Sequence, residues 1–403
     1  MNTIPQPPAL AALDDLSVVE FGEGVAAAYC AKLLADFGAT VIKVERPEGD
    51  PTRGRGPFPD GVQDPEASGL FVYLNTNKLG VVINPDAPGA KDQIDRLLKT
   101  ADIFVTDVCP DILAAFGCSS ADLRDRFPDL IVATVSPYGT TGPWRDRLGD
   151  ELTVFAASGL AYGTPGIPDA AEDLYVEPPL HPSCFPAETL AGLSTATAIM
   201  AAVTARRGGA RGCHIDLSVQ GAAAAIQVRD MLPAAYHGAR FNRLLNPVSI
   251  GRMPNFYLPC KDGHVTVAAP MDVHWQRVVD AMGRPDWAVA ANYATEKARQ
   301  ENWQELRRRL SLWTLNCTSD ELLALGESHK VMIFPFYSIR RVAASEHVAS
   351  RGSLTSIRIG GRSAQMPGAP FHMSGTPWRI ACDAPRLGEH NASVLHPERS
   401  ETP

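Results

Sequence analysis

The sequence predicts an α/β fold whose larger part is a parallel, doubly wound sheet covered by helices. Short apolar runs alternate with amphipathic stretches as far as Val135, the pattern of successive βα repeats. A later section mixes a hairpin with helices and predicts a second, smaller α+β domain. Hydrophobic residues make up 45% of the 403 residues and charged residues 20%, so the chain can bury a large core.

The predicted strands of the N-terminal part are short apolar segments, at 16–21, 39–44, 80–83, 102–106 and 130–135. Helices are predicted between them where apolar residues recur with helical spacing, at 26–37, 90–98 and 119–126. Open parallel sheets bind ligands beyond the carboxyl ends of their strands. We therefore expect the functional site in the loops that follow these strands.

The central and C-terminal parts are mainly helical. Helices are predicted at 152–160, 186–205 and 219–236, with a strand at 214–217. Pro186 suits the first turn of the long helix, because the N–H that proline lacks would have no partner there. A hairpin around Lys261-Asp262-Gly263, followed by Trp-containing helices to about Gly326, indicates the smaller domain. The chain from Phe334 returns to short strands and turns.

Charge and cysteine usage narrow the class of protein. The formal net charge is −8, which disfavours nucleic acid as a partner. No apolar stretch is long enough to span a bilayer, and the N-terminal residues lack a secretory pattern, so no membrane association is expected. The eight cysteines include no Cys-x-x-Cys pair, which predicts reduced thiols, no metal site and a cytoplasmic location.

Motifs for common cofactors are absent from the sequence. It contains neither Gly-x-Gly-x-x-Gly nor a phosphate-binding Walker loop, so no nucleotide redox cofactor is expected. Gly22 and Gly24 follow the first strand, where a ligand could approach the backbone closely. Residues 41–57 combine glycines and prolines with basic side chains, namely Lys43, Arg46, Arg53 and Arg55. This loop either binds phosphate or is a solvated loop paired with its own carboxylates.

Nine segments in a fixed order carry a family resemblance. They are ADFGATVIKVERPEGD (35–50), NTNKLGVVIN (75–84), TTGPW (140–144), ASGLAYGTPG (157–166), GGARGCHIDLS (208–218), LPCKDGHVTVA (258–268), MPGAP (366–370), TPW (376–378) and APRLGEHNASVL (384–395). In these segments the chain resembles the family III CoA-transferases (CaiB/BaiF type), which include formyl-CoA:oxalate and carnitine CoA-transferases and α-methylacyl-CoA racemase.

The resemblance implies a fold, an assembly and substrates. It implies a Rossmann-like large domain formed by both chain ends, at 1–235 and 331–403, with a small domain at 236–330. Two chains are expected to interlock as a homodimer. The implied substrates are an acyl-CoA and a small carboxylic acid, with the CoA phosphates near Arg46 and Lys78. The other expected CoA contacts are Gly24, Asp107 and Tyr138, although the Asn and aromatic residue usual near Asp107 are absent.

The resemblance also places the nucleophile. Where the family has an aspartate at the start of the long helix, this chain has Glu188. A carboxylate there would attack a thioester, giving a mixed anhydride and then a glutamyl-CoA thioester, which defines a CoA-transferase. From the sequence alone, a glutamate in a first helical turn is more often a residue that serves only the helix dipole.

Alternatives on the same fold stay open. In a racemase two bases face the α-carbon, and the racemase histidine corresponds here to Asp150, followed by Glu151. Both are candidate catalytic residues, or else they cap the helix predicted from Leu152. His181 and His214 are other candidate bases. A lyase and a non-catalytic CoA-ester binding protein are the remaining alternatives.

Overall fold

The computed structural model describes residues 11–163, 180–237 and 256–396. They form two compact units. The first unit draws its described residues from 11–162, 180–228 and 352–396, and the second from 163, 229–237 and 256–351. None of the helices in these described ranges is both long and apolar enough to cross a membrane.

A six-stranded sheet organises the first unit. Its strands are β1 (Ser17–Phe21), β2 (Thr40–Glu45), β3 (Lys78–Val82), β4 (Ile103–Thr106), β5 (Ile131–Ser136) and β6 (His214–Ser218). Neighbouring strands are parallel in the order β3-β2-β1-β4-β5-β6, which confirms the predicted α/β class. The order reverses between β1 and β4, and the carboxyl ends of such a pair form a natural crevice for a ligand.

Helices cover both faces of this sheet. They are α1 (Val25–Asp36), α2 (Gly69–Asn75), α3 (Ala90–Thr100), α4 (Pro110–Ala115), α5 (Ser120–Arg126), α6 (Glu151–Ala157), α7 (Pro186–Arg207) and α8 (Val219–Ala225). Because successive strand residues point to opposite faces, Val18 packs with the α1 and α7 side of the core and Val19 with the α3 side. Gly192 brings α7 against α1, since a Cβ there would lie 2.6 Å from the Ala26 carbonyl oxygen.

The second unit has its own sheet and core. Its helices are α9 (Val228–His237), α10 (Asp272–Ala281), α11 (Ala291–Ala294), α12 (Glu296–Glu301), α13 (Trp303–Thr314), α14 (Ser319–His329), α15 (Ile339–Ala343) and α16 (Glu346–Ser350). Its antiparallel strands are β7 (Phe256–Cys260), β8 (Gly263–Ala268) and β9 (Met332–Pro335). The predicted hairpin is confirmed as β7 and β8. The single helix predicted at 219–236 was wrong, because α8 stops at Ala225 and α9 starts at Val228.

The C-terminal segment returns to the first unit. It forms the hairpin of β10 (Leu354–Ile359) and β11 (Arg362–Pro367) and a π-helical turn (Asn391–Leu395). At the free edge of β3, the Gly80 N–H donates to His390 Nδ1 over 3.1 Å and the Val82 N–H to Asn391 Oδ1 over 2.8 Å. The His390 N–H in turn donates to the Gly80 oxygen. Side chains therefore occupy hydrogen-bonding positions that another strand would otherwise fill.

Candidate active site

The N-terminus of α1 lies directly after β1, beside the point where the strand order reverses. Its cap residue, Gly24, has an extended backbone and no side chain to bind the first amides of the helix. A Cβ at Gly24 would lie only 2.9 Å from Asp107 Oδ2. The free amides of this helix end must therefore be satisfied by groups from elsewhere in the chain.

Two carboxylates from distant segments supply those partners. Asp107 follows β4 and accepts hydrogen bonds from the Glu23 N–H (2.7 Å) and the Ala27 N–H (3.2 Å). Glu188, in the first turn of α7, accepts one through Oε2 from the Val25 N–H (3.0 Å). The structure thus brings together Gly24, Asp107 and Glu188, three of the residues that the sequence selected. The positive end of the α1 dipole faces both acids.

The environment of these acids moves their pKa values toward neutrality. Burial raises the pKa of Glu188 to about 7, with added repulsion from Asp107 and Glu151 and an opposing effect of the Val25 amide. Burial likewise raises the pKa of Asp107 to about 6, against the Glu23 and Ala27 amides. Glu188 is half-buried rather than enclosed. A carboxylate that changes charge near pH 7 is typical of acid–base and nucleophilic sites.

Glu151 positions the nucleophile candidate. It is buried, and its Oε1 and Oε2 accept hydrogen bonds from the Ala187 N–H (3.1 Å) and the Glu188 N–H (2.8 Å). The residue before α7, Phe185, makes no side-chain cap, so Glu151 takes that function. His181 Nε2 lies 3.2 Å from Glu151 Oε1 and completes the arrangement. Glu151 therefore caps the start of α7 through the backbone amides of Ala187 and Glu188.

Asp150 lies outside this cluster of carboxylates and caps a different helix, α6. It is exposed and caps α6, where the Thr153 N–H donates to its Oδ1 over 2.9 Å and the Asp150 N–H donates in return to the Thr153 hydroxyl. The helix-capping interpretation of Asp150 is confirmed. Each of three helix starts thus has a carboxylate as its cap. Asp150 caps α6, Glu151 of α6 caps α7, and Glu188 of α7 caps α1. His214, another candidate base, is the first residue of the edge strand β6. It therefore lies at the amino ends of the parallel strands, whereas Glu188 lies near their carboxyl ends.

Arg46 lies at the end of β2, close to this cluster. Its Nε forms an ion pair with Glu23, the residue whose backbone amide binds Asp107. The Arg46 side chain is 31% exposed, so part of its guanidinium faces solvent. It remains a candidate for a phosphate group. Tyr138 follows β5 and packs edge to face on Trp144, with 5.4 Å between ring centroids.

Lys78 is not placed for direct contact with phosphate. It is buried, and its Nζ donates to Glu20 Oε2 (2.6 Å), Asn75 Oδ1 (2.8 Å) and the Ala28 oxygen (2.8 Å). An ammonium group has three donors, and all three are used inside the protein. Burial lowers the pKa of Lys78 to about 8, and the charge of Glu20 opposes this shift. The sequence-based expectation for Lys78 is therefore corrected to a role inside the sheet.

A buried charge network accounts for Lys78. Glu20 lies between two ammonium groups, because Lys43 contacts its other oxygen at 2.9 Å and also reaches Asp50 at 2.7 Å. Burial alone would raise the pKa of Glu20, but Lys43 and Lys78 together hold it below its usual value. Such a network persists only where every charge has a partner. The network is buried and is linked to α1 through the bond from Lys78 Nζ to the Ala28 oxygen.

Two side chains near the site were named from the sequence without the contacts that place them there. His181 was a candidate base, and its contact with Glu151 spans 30 positions that no local pattern connects. Arg55 was noted only as part of a basic loop. Among the described residues, no group of three or more His, Cys, Asp or Glu side chains is arranged to hold a metal ion. The absence of a metal stays a prediction.

Comparisons with known proteins agree with one another. A family model described as CoA-transferase family III matches residues 13–391. The succinate–glutarate CoA-transferase of Agrobacterium fabrum is 31% identical, over 97% of this chain and 98% of that protein. The succinyl-CoA–D-citramalate CoA-transferase of Chloroflexus aurantiacus is 28% identical, over 95% and 93%. The crystal structure of a CaiB/BaiF family protein from Brucella suis matches with a TM-score of 0.83 and 25% identity, over 95% and 98%.

Proposed function

This chain belongs to the family III CoA-transferases, and we propose from that premise that it moves CoA between carboxylic acids with Glu188 as its nucleophile. The observation that carries the proposal is the Glu188 carboxylate itself. It is half-buried and lies 3.0 Å from the first amide of α1, at the carboxyl edge of the sheet. Since the family aspartate is absent at this position, Glu188 is the carboxylate available there to form a covalent link.

The proposed reaction balances without ATP. Ionised Glu188 attacks the thioester carbonyl of the donor, so a C–O bond forms, the C–S bond breaks, and CoA leaves as a thiolate. The thiolate attacks the glutamyl carbonyl of this mixed anhydride, which releases the donor acid and leaves glutamyl-CoA. The acceptor carboxylate then attacks glutamyl-CoA, and the returning thiolate captures the acceptor's acyl group. Glu188 ends ionised as it began, and each step conserves an activated acyl bond.

The helix end supports these steps electrostatically. In the resting site the Val25 N–H donates to the Glu188 carboxylate. When that oxygen becomes part of an anhydride or is replaced by sulfur, the same amide is positioned for the negative oxygen of a tetrahedral intermediate. A fixed donor of this kind needs no reorganisation during the reaction. Removal of such a donor in other acyl-transfer enzymes costs about 100- to 1000-fold in kcat.

The CoA contacts that we propose follow the same edge of the sheet. Gly24 has no side chain of its own over the α1 amides, and its missing Cβ lets the Asp107 carboxylate approach the start of the helix. Arg46 supplies a partly exposed guanidinium for a phosphate group. Asp107 would orient the α1 terminus beneath the pantetheine, and Tyr138 would offer an aromatic face. Each of these roles is testable by the apparent KM for CoA esters.

The relatives guide the choice of substrates. The Agrobacterium relative is named for succinate and glutarate, and the Chloroflexus relative for succinyl-CoA and D-citramalate. All of these acids have a second carboxylate. We propose that this chain also takes a small dicarboxylic acid or its CoA ester, and succinyl-CoA is the first donor to test.

A trapping experiment tests the nucleophile. The protein is incubated with succinyl-CoA, treated with hydroxylamine or borohydride, and digested for mass spectrometry. We expect a hydroxamate or an alcohol at Glu188, and neither product in Glu188→Gln. Glu346→Gln is the matched control, since Glu346 also lies in a first helical turn, on α16, but is exposed. CoA binding without modification across several donors would favour the non-catalytic alternative.

The assembly and location are further proposals. We propose an interlocked homodimer with a large domain from 1–235 and 331–403 and a small domain from 236–330, in the cytoplasm. Family membership supports the dimer. Light scattering after size exclusion should give twice the mass of one chain. A monomer that retains full transferase activity would contradict this part of the proposal.

A further inference from the structure

Arg55 combines a fixed backbone with a free side chain. Its N–H donates to the Thr52 oxygen over 3.1 Å, and its own carbonyl oxygen accepts from the buried Ser68 hydroxyl. Ser68 is also the cap of α2, where it accepts from the Phe71 N–H over 3.1 Å. The position of Arg55 is therefore set by the fold, whereas its guanidinium is exposed.

The other arginines of this loop region are already paired. Arg53 is buried and binds both oxygens of Glu45, at 2.7 and 2.8 Å, and Arg46 pairs with Glu23. In the described part of the chain no carboxylate forms an ion pair with Arg55. A cation on a fixed backbone position that has no carboxylate partner has its charge available for an anionic ligand.

Arg55 also lies near the reactive carboxylate. Its guanidinium carbon is 5.6 Å from the centre of the Phe185 ring, and Phe185 immediately precedes α7. Glu188 lies in the first turn of that helix. The positive charge of Arg55 counters the effect of burial on the pKa of Glu188 and adds to the hydrogen bonds that lower the pKa of Asp150. All of these residues belong to the first compact unit.

We propose that Arg55 determines substrate specificity by binding the distal carboxylate of a dicarboxylic acid while its other carboxyl group reacts at Glu188. This inference rests on the proposed CoA transfer, and it names the residue that would bind the second carboxylate of the substrate. A guanidinium matches a carboxylate with two parallel hydrogen bonds, so it selects orientation as well as charge. A monocarboxylic acid of the same length would leave Arg55 without that partner.

A CoA phosphate is the competing anion for the same side chain. The two ligands differ in what the variant would change, because a phosphate contact serves every CoA ester. A contact with the distal carboxylate serves only dicarboxylic substrates. A lower affinity for CoA in an Arg55 variant would therefore indicate a phosphate contact. A weaker preference for dicarboxylic over monocarboxylic acids would indicate a contact with the distal carboxylate.

The test compares succinate and glutarate with butyrate as acceptors of CoA. Wild-type protein, Arg55→Ala and Arg55→Lys are charged with succinyl-CoA or butyryl-CoA, and kcat/KM is measured for each acid. We expect Arg55→Ala to lower kcat/KM for the two dicarboxylic acids by about 10- to 100-fold, the range of a charge-assisted hydrogen bond. At pH 9, where Glu188 is ionised in every variant, butyrate and the affinity for free CoA should be unaffected. Arg55→Lys should recover part of the loss, and Arg96→Ala, an exposed arginine of α3, is the control.

Several results would overturn the inference. They are an unchanged kcat/KM for succinate and glutarate, an equal fall for all three acids, or a weaker affinity for free CoA, which would assign Arg55 to phosphate. A wild-type protein that forms no Glu188 adduct with either donor refutes the proposed function first, and this inference falls with it.

Discussion

Replacing the Glu188 carboxylate by an amide should stabilise the protein at alkaline pH while it removes CoA transfer. Burial holds the pKa of Glu188 at about 7, above its ordinary value of 4.5. A carboxyl group of this kind contributes stability in its protonated form. That contribution is complete below pH 4.5 and is lost as the pH rises through about 7. The amide of the Glu188→Gln variant is neutral at every pH, so the variant keeps this contribution.

The size of the effect follows from the pKa of Glu188 in the folded protein. At about 1.4 kcal/mol per pH unit, the difference between 4.5 and about 7 corresponds to about 3 kcal/mol. An unfolding entropy of about 2 cal/mol/K per residue over 403 residues converts this to about 3 to 4 °C in Tm. Glutamine keeps an oxygen for the Val25 N–H, so the cap on α1 is retained.

Thermal denaturation at pH 8 and pH 5 is the assay. We expect Glu188→Gln to melt a few degrees above wild type at pH 8, with the gap closing toward pH 4.5. Glu346→Gln on the exposed start of α16 should show no such pH dependence. A Glu188→Gln variant that melts lower than wild type at pH 8 would falsify the reasoning, since the carboxylate would then be stabilising in its charged form.

Three further outcomes follow from the same site. The kcat/KM for transfer should rise with pH through about 7, because only ionised Glu188 attacks; a flat profile from pH 5.5 to 8 would contradict this. Glu20→Gln should lower the free energy of unfolding in urea by about 3 to 5 kcal/mol, since it leaves two buried lysines without their shared partner, and an effect below about 1 kcal/mol would refute the network. Arg46→Ala should raise the KM for CoA esters with little change in kcat, and an unchanged KM would remove Arg46 from the phosphate site.

The fold was predictable because its signals are local. The apolar runs located β1 to β5 to within a few residues, and Pro186 marked the start of α7. The break between α8 and α9 was missed because Ile226 and Gln227 carry no helix-stopping signal. Gln227 Nε2 instead binds the Ser158 oxygen, a contact across 69 positions.

The site was predictable only in part. Glu188 was found because the family resemblance fixes its place, whereas the links that set its chemistry join residues far apart in sequence. Val25 and Glu188 are 163 positions apart, and Glu23 and Asp107 are 84 apart. Lys78 was expected near the CoA phosphates because of the family resemblance, which does not reveal that its ammonium group is buried. Its three acceptors become visible only once β1, α1 and α2 are packed around it.

The attachment of the C-terminal segment to β3 has a consequence for biosynthesis. The Gly80 N–H has no hydrogen-bond partner on this edge until His390 has been synthesised, 310 residues later. At about 5 to 20 residues per second, a ribosome needs roughly 15 to 60 s to supply it. During that interval β3 lacks its edge partner, and an uncovered strand edge of this kind can pair with another chain.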